Sequence, residues 1–145
     1  MKHEAQLHHL INEFDEIYDR TIDIVRLDGK TLKDTLVSQL PMQLELEMFV
    51  KRINYLHDLI EMDVEEAYAV AIANVIKKSQ RELTATQAKD YSKADPEYRV
   101  SKRLLLDARK VRDEARGCLE VVNTRRFTLN NMTNSIIAGV EHAYL

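Results

Sequence analysis

Apolar residues recur along this chain at steps of three and four, which is the spacing of one face of a helix. Leu7, Leu10, Ile11, Phe14, Ile17 and Tyr18 make the first such face. The segment from Ile22 to Leu27 either continues that helix or forms an extended connector. Asp28-Gly29 breaks the pattern, since glycine tolerates the positive φ of a turn or helix end. Leu32, Leu36, Val37 and Leu40 then mark a short helix that Pro41 stops or kinks, because proline lacks the amide donor. From Met42 to about Arg81 a long helix is predicted, with Leu46, Phe49, Ile53, Leu56, Ile60, Ala67 and Val70 as its packing seam. Asp63 and Asn74 interrupt that seam, where polar groups cost stability and can fix register.

The stretch from Ser79 to Asp95 is polar and loses all periodicity, which reads as a linker. Asp95-Pro96-Glu97 then announces a helix: an Asp N-cap, proline at the first helical position and an acid facing the positive end of the dipole. Along it Leu104, Ala108, Val111, Ala115, Cys118, Val122, Leu129, Met132 and Ile136 keep a four-three spacing, with Ser101 and Arg125 as polar exceptions. Gly117 sits inside the run at a cost of roughly 1 kcal/mol against alanine. A single helix from Pro96 to Tyr144 would be about 73 Å long, and a kink near Gly117 or Asn130-Asn131 would fold its end back. The expected organisation is an N-terminal helical arm (1–40), a long middle helix (41–81), a polar linker (82–95) and a long C-terminal helix (96–145). Two such helices outreach a compact globule of this length, whose radius of gyration is about 15 Å. Their seams therefore call for partners, and a homo-oligomer joined through Val111, Ala115, Cys118, Val122, Leu129, Met132 and Ile136 is the expectation.

Composition narrows the class. Of 145 residues only 3 are Gly and 2 Pro, too few turn formers for an all-β fold, while strong helix formers abound. The fold class expected is all-α. The one cysteine cannot pair within the chain, so nothing here requires an oxidising compartment. The first ten residues, with Lys2, His3, Glu4, His8 and His9, do not read as a signal peptide. The longest nearly apolar stretch, Ala67 to Ile76, is about half of what a bilayer needs. A soluble cytoplasmic protein, away from membranes, is the expectation. The net charge of −3 conceals two opposite halves. Residues 1–76 hold 7 Lys and Arg against 15 Asp and Glu (net −8), and residues 77–145 hold 14 against 9 (net +5). Such asymmetry marks a nucleic-acid face or an acidic docking face, or two halves attracting each other within one assembly.

Enzyme chemistry finds little footing. A ferritin-like metal bundle uses Glu-x-x-His pairs, and none occurs here. Glu4 with His8, His9 and His57 read as solvated or half-buried side chains. Cys118 falls on the helix seam as a small apolar residue, without an evident activating base. No glycine-rich phosphate loop is present. The chain is expected to be non-catalytic and to need no cofactor or metal.

The positive charge is more informative. Arg99, Lys102, Arg103, Arg109, Lys110, Arg112 and Arg116 lie on the C-terminal helix, with Arg125 and Arg126 further on. At about 100° per residue, Lys102, Arg109, Arg99, Lys110 and Arg116 project from the side opposite the seam, with Asp113 and Glu120 diluting that face. Lys77, Lys78 and Arg81 close the preceding helix, where cations suit the dipole. A stripe of this kind can track a phosphate backbone without reading sequence. The same pattern also fits a solvated helix face with ordinary charge pairs. Tyr91, Tyr98 and Phe127 are the aromatics near it.

The stretch ADPEYRVSKRLLLDARKVRDEARGCLEVVNTRRFTLNNM resembles the signature region of the UvsY family, the recombination mediators of tailed phages. The resemblance rests on Ala94-Asp95 opening a long helix, on the seam through Ala115 and Leu119, and on Arg125 to Phe127. The Leu40-Pro41 step, a long charged helix and a polar linker precede it in the same order, so that it spans residues 27–140. It implies single-stranded DNA binding by ring-like oligomers and the loading of a RecA-like recombinase onto strands covered by single-strand-binding protein. It also implies oligomerisation through the C-terminal helix. Where that family carries a basic-aromatic segment, this chain reads AYAVAIANVIKKSQREL, with Lys77, Lys78 and Arg81 as the nearest candidates for DNA contact. The rival reading is a structural or adaptor coiled coil that docks a basic protein through residues 1–76. Within the nucleic-acid class, a helicase-loading or annealing accessory shares the composition.

Overall fold

The computed structural model describes residues 2–26 and 29–143, with side chains through residue 139. Among them are four helices and no strand: α1 (Glu4–Val25), α2 (Leu32–Lys78), α3 (Ala85–Ser92) and α4 (Pro96–Ala143). The all-α class follows from the sequence. Asp28, Leu27 and Tyr144 lie outside the described residues.

Helix α1 takes in the ambiguous segment as far as Val25 and buries Leu7, Leu10, Phe14, Ile17 and Thr21. Gly29 follows at φ 71°, a left-handed conformation that suits a residue without Cβ. Thr31 then opens α2 by accepting the Asp34 amide at 3.2 Å, as an N-cap hydroxyl does.

Pro41 does not end a helix. It sits inside α2, which runs unbroken from Leu32 to Lys78. The missing amide frees the Val37 carbonyl. Val37 and Pro41 are both exposed, so on that side water can take the place of the lost donor. The inner side of α2 is held by Met42, Leu46, Phe49, Val50, Ile53, Leu56, Ile60, Val64 and Ala71. Beyond Ile60 the buried row steps to Val64 and Ala71, while Val70 and Asn74 are exposed and Ala67 is half-buried. A row counted at 3.5 residues per turn drifts off a straight helix of 3.6, which explains the offset.

The polar stretch 82–95 carries a helix. Thr84 accepts the Gln87 amide and Gln87 accepts the Thr84 amide, a reciprocal capping box that starts α3. Only Ala88 and Ser92 are buried there. Two small residues leave no apolar periodicity to read. Asp95 then caps α4, its carboxylate accepting the Tyr98 amide at 3.0 Å. Helix α4 passes Gly117 and Asn130-Asn131 without interruption.

The chain forms two compact units. The first holds the chain up to Ile11 together with Arg52–Arg112, and the second holds Asn12–Lys51 together with the chain from Asp113 onward. In the first, His3 Nδ1 lies 2.5 Å from Asp63 Oδ2, Arg112 reaches His57, and the Tyr68 and Tyr98 rings meet at 5.0 Å. These contacts run α2 and α4 antiparallel. In the second, Phe14 stacks on Phe49 at 5.5 Å, Arg20 pairs with Glu45 at 2.7 Å, and the Gln39 amide donates to the Val122 carbonyl at 2.9 Å.

The seam thus finds its partners inside one chain. Val111, Ala115, Val122 and Leu129 are buried in the monomer, and Cys118 is half-buried. Side chains already covered have no surface left for a second copy. Of the row assigned to oligomerisation, only Met132 and Ile136 stay exposed.

Candidate nucleic-acid interface

The end of α2 and the start of α3 lie in the first unit. Lys77 and Lys78 occupy the last turn of α2, where cations face the negative end of the helix dipole. The turn that follows is tied by Ser79, whose hydroxyl donates to the Arg81 carbonyl at 2.6 Å and accepts the Arg81 amide at 3.2 Å. The capping box orients α3 so that Tyr91, 61% exposed, shares one groove with Lys78 and Arg81. Asn74, Val75, Gln80 and Asp95 are among the other residues lining this groove of about 530 Å³. Asp95 is the one acid lining it, and its carboxylate is engaged in capping α4.

Lys77 is exposed beside the groove without lining it. Arg99, Lys102, Arg103, Arg109 and Lys110 are exposed along α4 in the same unit, and Arg99 Nε donates to the Lys93 carbonyl at 3.2 Å. Arg116 is exposed in the second unit. The nine candidate cations therefore do not converge: Lys78 and Arg81 share the groove, and five others form the α4 stripe. The sequence pointed to Tyr91 as an aromatic near the cations, but composition and spacing did not show that Asn74 and Gln80 line one groove with it. The Thr84-x-x-Gln87 capping pattern was the signal that could have found the helix presenting Tyr91. Tyr98 is half-buried against Tyr68, whereas Phe127 is exposed in the second unit.

Arg125 has a different place from its basic neighbours. It is only 8% exposed, its Nη1 donating to Gln39 Oε1 at 3.0 Å and its Nη2 to the Ile24 carbonyl at 2.8 Å. Its Nε is buried without a partner, as is Gln43 Oε1. Burial pushes the guanidinium below its ordinary pKa. Its acceptors include a carbonyl at the C-terminal end of α1, where the dipole is negative.

His57, Asp58 and Glu61 place ligand-type atoms within 4.8 Å of one another. The His57 ring is already engaged on both sides. Nδ1 faces Asp58 Oδ1 at 3.2 Å, and Arg112 Nη1 lies 3.2 Å from Nε2. A guanidinium beside the ring opposes a metal cation there. In the second unit a largely apolar groove of about 740 Å³, lined among others by Phe14, Tyr18, Ile22 and Val121, contains Cys118. Burial and then Glu114 push that thiol above its usual pKa. The thiolate a nucleophile needs is therefore disfavoured.

Among the described residues no helix is long and apolar enough to cross a membrane. Comparison with family models, with characterised proteins and with solved structures finds no match to this chain.

Proposed function

We propose that the chain is a non-catalytic recombination mediator. It binds single-stranded DNA as a homo-oligomer and helps load a RecA-like recombinase onto strands covered by single-strand-binding protein. The observation that carries this reading is the groove in which Lys78 and Arg81 stand beside the exposed ring of Tyr91. Phosphates go to Lys77, Lys78 and Arg81, and an unpaired base stacks on Tyr91. A duplex keeps its bases stacked inside, so the groove favours a single strand. Several grooves in one assembly sum weak contacts into firm binding and compete with single-strand-binding protein for the same phosphates. The resemblance to the UvsY family supports the role. That role places the protein in the cytoplasm, the host's where a phage encodes it.

Fluorescence anisotropy with a labelled single strand and its duplex, titrated across salt, tests the reading. Tighter binding of the single strand is expected, with affinity falling steeply as salt rises. Replacing Lys77, Lys78 and Arg81 together by alanine lowers low-salt affinity about a hundredfold and the salt slope by about two, given roughly 0.7 per phosphate contact. Wild-type protein that ignores both probes at low salt sinks the mediator reading. Unchanged affinity in the triple variant moves the contact to the α4 stripe.

A further inference from the structure

Two exposed apolar side chains of the first unit stand in collars of opposite charge. On α2, Met62 is 64% exposed; Asp58 and Leu59 lie one turn before it, and Glu65 and Glu66 one turn after it. On α4, Leu106 is 52% exposed, with Lys102 and Arg103 before it and Arg109 and Lys110 after it. These are the three- and four-residue neighbours that share a helix surface with the central side chain. The surrounding sequence sharpens the contrast. No Lys or Arg occurs from Ile53 to Ile76, and Asp107 is the only acid from Tyr98 to Arg112.

These charges are available. Among the described residues neither Glu65 nor Glu66, nor any of the four cations around Leu106, forms an ion pair. Each collar also lies on the side of its helix away from the buried row, which is Ile53, Leu56, Ile60 and Val64 on α2 and Leu104, Leu105, Ala108 and Val111 on α4. Within one chain both patches stay open. Two α2 collars would set acid against acid, and two α4 collars base against base, so a symmetric face-to-face contact is disfavoured. Only the unlike pairing is complementary.

We propose that copies of this chain associate head to tail, the acidic collar of Met62 on one copy seating on the basic collar of Leu106 on the next. The two apolar side chains form the dry centre of the contact, and the charges set its orientation. Repeating one unlike contact builds a ring where the rotation closes and an open filament where it does not. Lys102, Arg103, Arg109 and Lys110 then serve protein contact, leaving Lys77, Lys78 and Arg81 to a phosphate backbone. The proposal concerns self-association and stands whether or not the chain binds DNA.

Sedimentation velocity of the full chain at low salt tests it. Wild type is expected to exceed the monomer mass, and salt should loosen it. One variant carries Glu65→Lys and Glu66→Lys. A second carries Lys102→Glu, Arg103→Glu, Arg109→Glu and Lys110→Glu. All six positions are exposed, and circular dichroism checks that both variants fold. Each alone should weaken assembly by about tenfold or more, while an equimolar mixture recovers it, because each reversed collar then meets its opposite. If the fourfold variant does not fold, Arg109→Glu with Lys110→Glu replaces it under the same criterion. Variants that keep the wild-type mass, or folded variants whose mixture fails to reassemble, overturn the proposal. A wild type that stays monomeric at low salt also overturns it and leaves the acidic face to a basic protein.

Discussion

Two helix ends in this molecule gather positive charge and use it in opposite ways. At the end of α2 the cations come from the helix itself and the turn after it, and Lys77, Lys78 and Arg81 remain exposed around an open groove. The last turn of α1 contains no basic residue. Its cations arrive from elsewhere: Lys30 donates to the Asp23 carbonyl, and Arg125 of α4 to the Ile24 carbonyl. The first set is local and exposed. Arg125 is distant in sequence, buried, and engaged through both of its Nη atoms. A lysine or arginine count treats them alike. What separates them is whether the charge has already been met by the protein's own backbone.

Removing Arg125 should break the comparison at its strongest point. Arg125→Ala leaves Gln39 Oε1 and the Ile24 carbonyl without their donor and opens a hole beside them. The expected cost is about 3 kcal/mol, or a drop of roughly 9 °C in Tm by thermal denaturation. Arg125→Lys should recover little, since a point charge cannot reach two separated acceptors as the guanidinium fork does. Alanine at Lys77, Lys78 and Arg81 should change stability by no more than about 0.5 kcal/mol, as exposed positions do. An Arg125→Ala protein that melts with the wild type would mean that the α1 end does not depend on this charge.

The groove side is sharpened by Tyr91→Ala. Losing one stacking platform costs about 1–3 kcal/mol per base, so single-strand affinity should fall on the order of tenfold while the salt slope holds. Tyr91→Phe should bind like the wild type, because stacking needs only the ring. An equal loss on duplex and single strand would show that Tyr91 supports the groove and does not read an unpaired base.

Much of the fold was legible where apolar side chains repeat. Leu46, Phe49, Ile53, Leu56 and Ile60, and Leu104, Ala108, Val111, Ala115, Val122 and Leu129 on α4, mark rows that are buried. The reading failed where another term outweighed periodicity. Pro41 is accommodated because the lost donor faces water, and α3 forms on a capping box with only Ala88 and Ser92 inward. Ser101 and Arg125, exceptions to the apolar pattern, are buried members of the row, because Ser101 donates to the Glu97 carbonyl and Arg125 to two acceptors. Of the candidate site, the cations were visible in sequence, but their division was not. That Lys78 and Arg81 share a groove with Tyr91, while Lys102 to Lys110 ring Leu106, depends on which helix faces are already covered.

The smallest expected effect tests whether α4 acts on Arg125 only by carrying it. Gly117 is helical, and an added Cβ there would meet nothing within 4 Å. Gly117→Ala should therefore stabilise by up to about 1 kcal/mol through reduced backbone freedom in the unfolded chain. Gly117 lies eight residues before Arg125, about 12 Å along the helix, a separation at which effects usually add. The double variant Gly117→Ala, Arg125→Ala should then fall about 2 kcal/mol below wild type, with single-strand affinity as in the wild type. A double variant as unstable as Arg125→Ala alone would show that losing the α1 contact also frays α4 back past Gly117. In that case the buried arginine would hold a whole stretch of helix in place, beyond satisfying two acceptors.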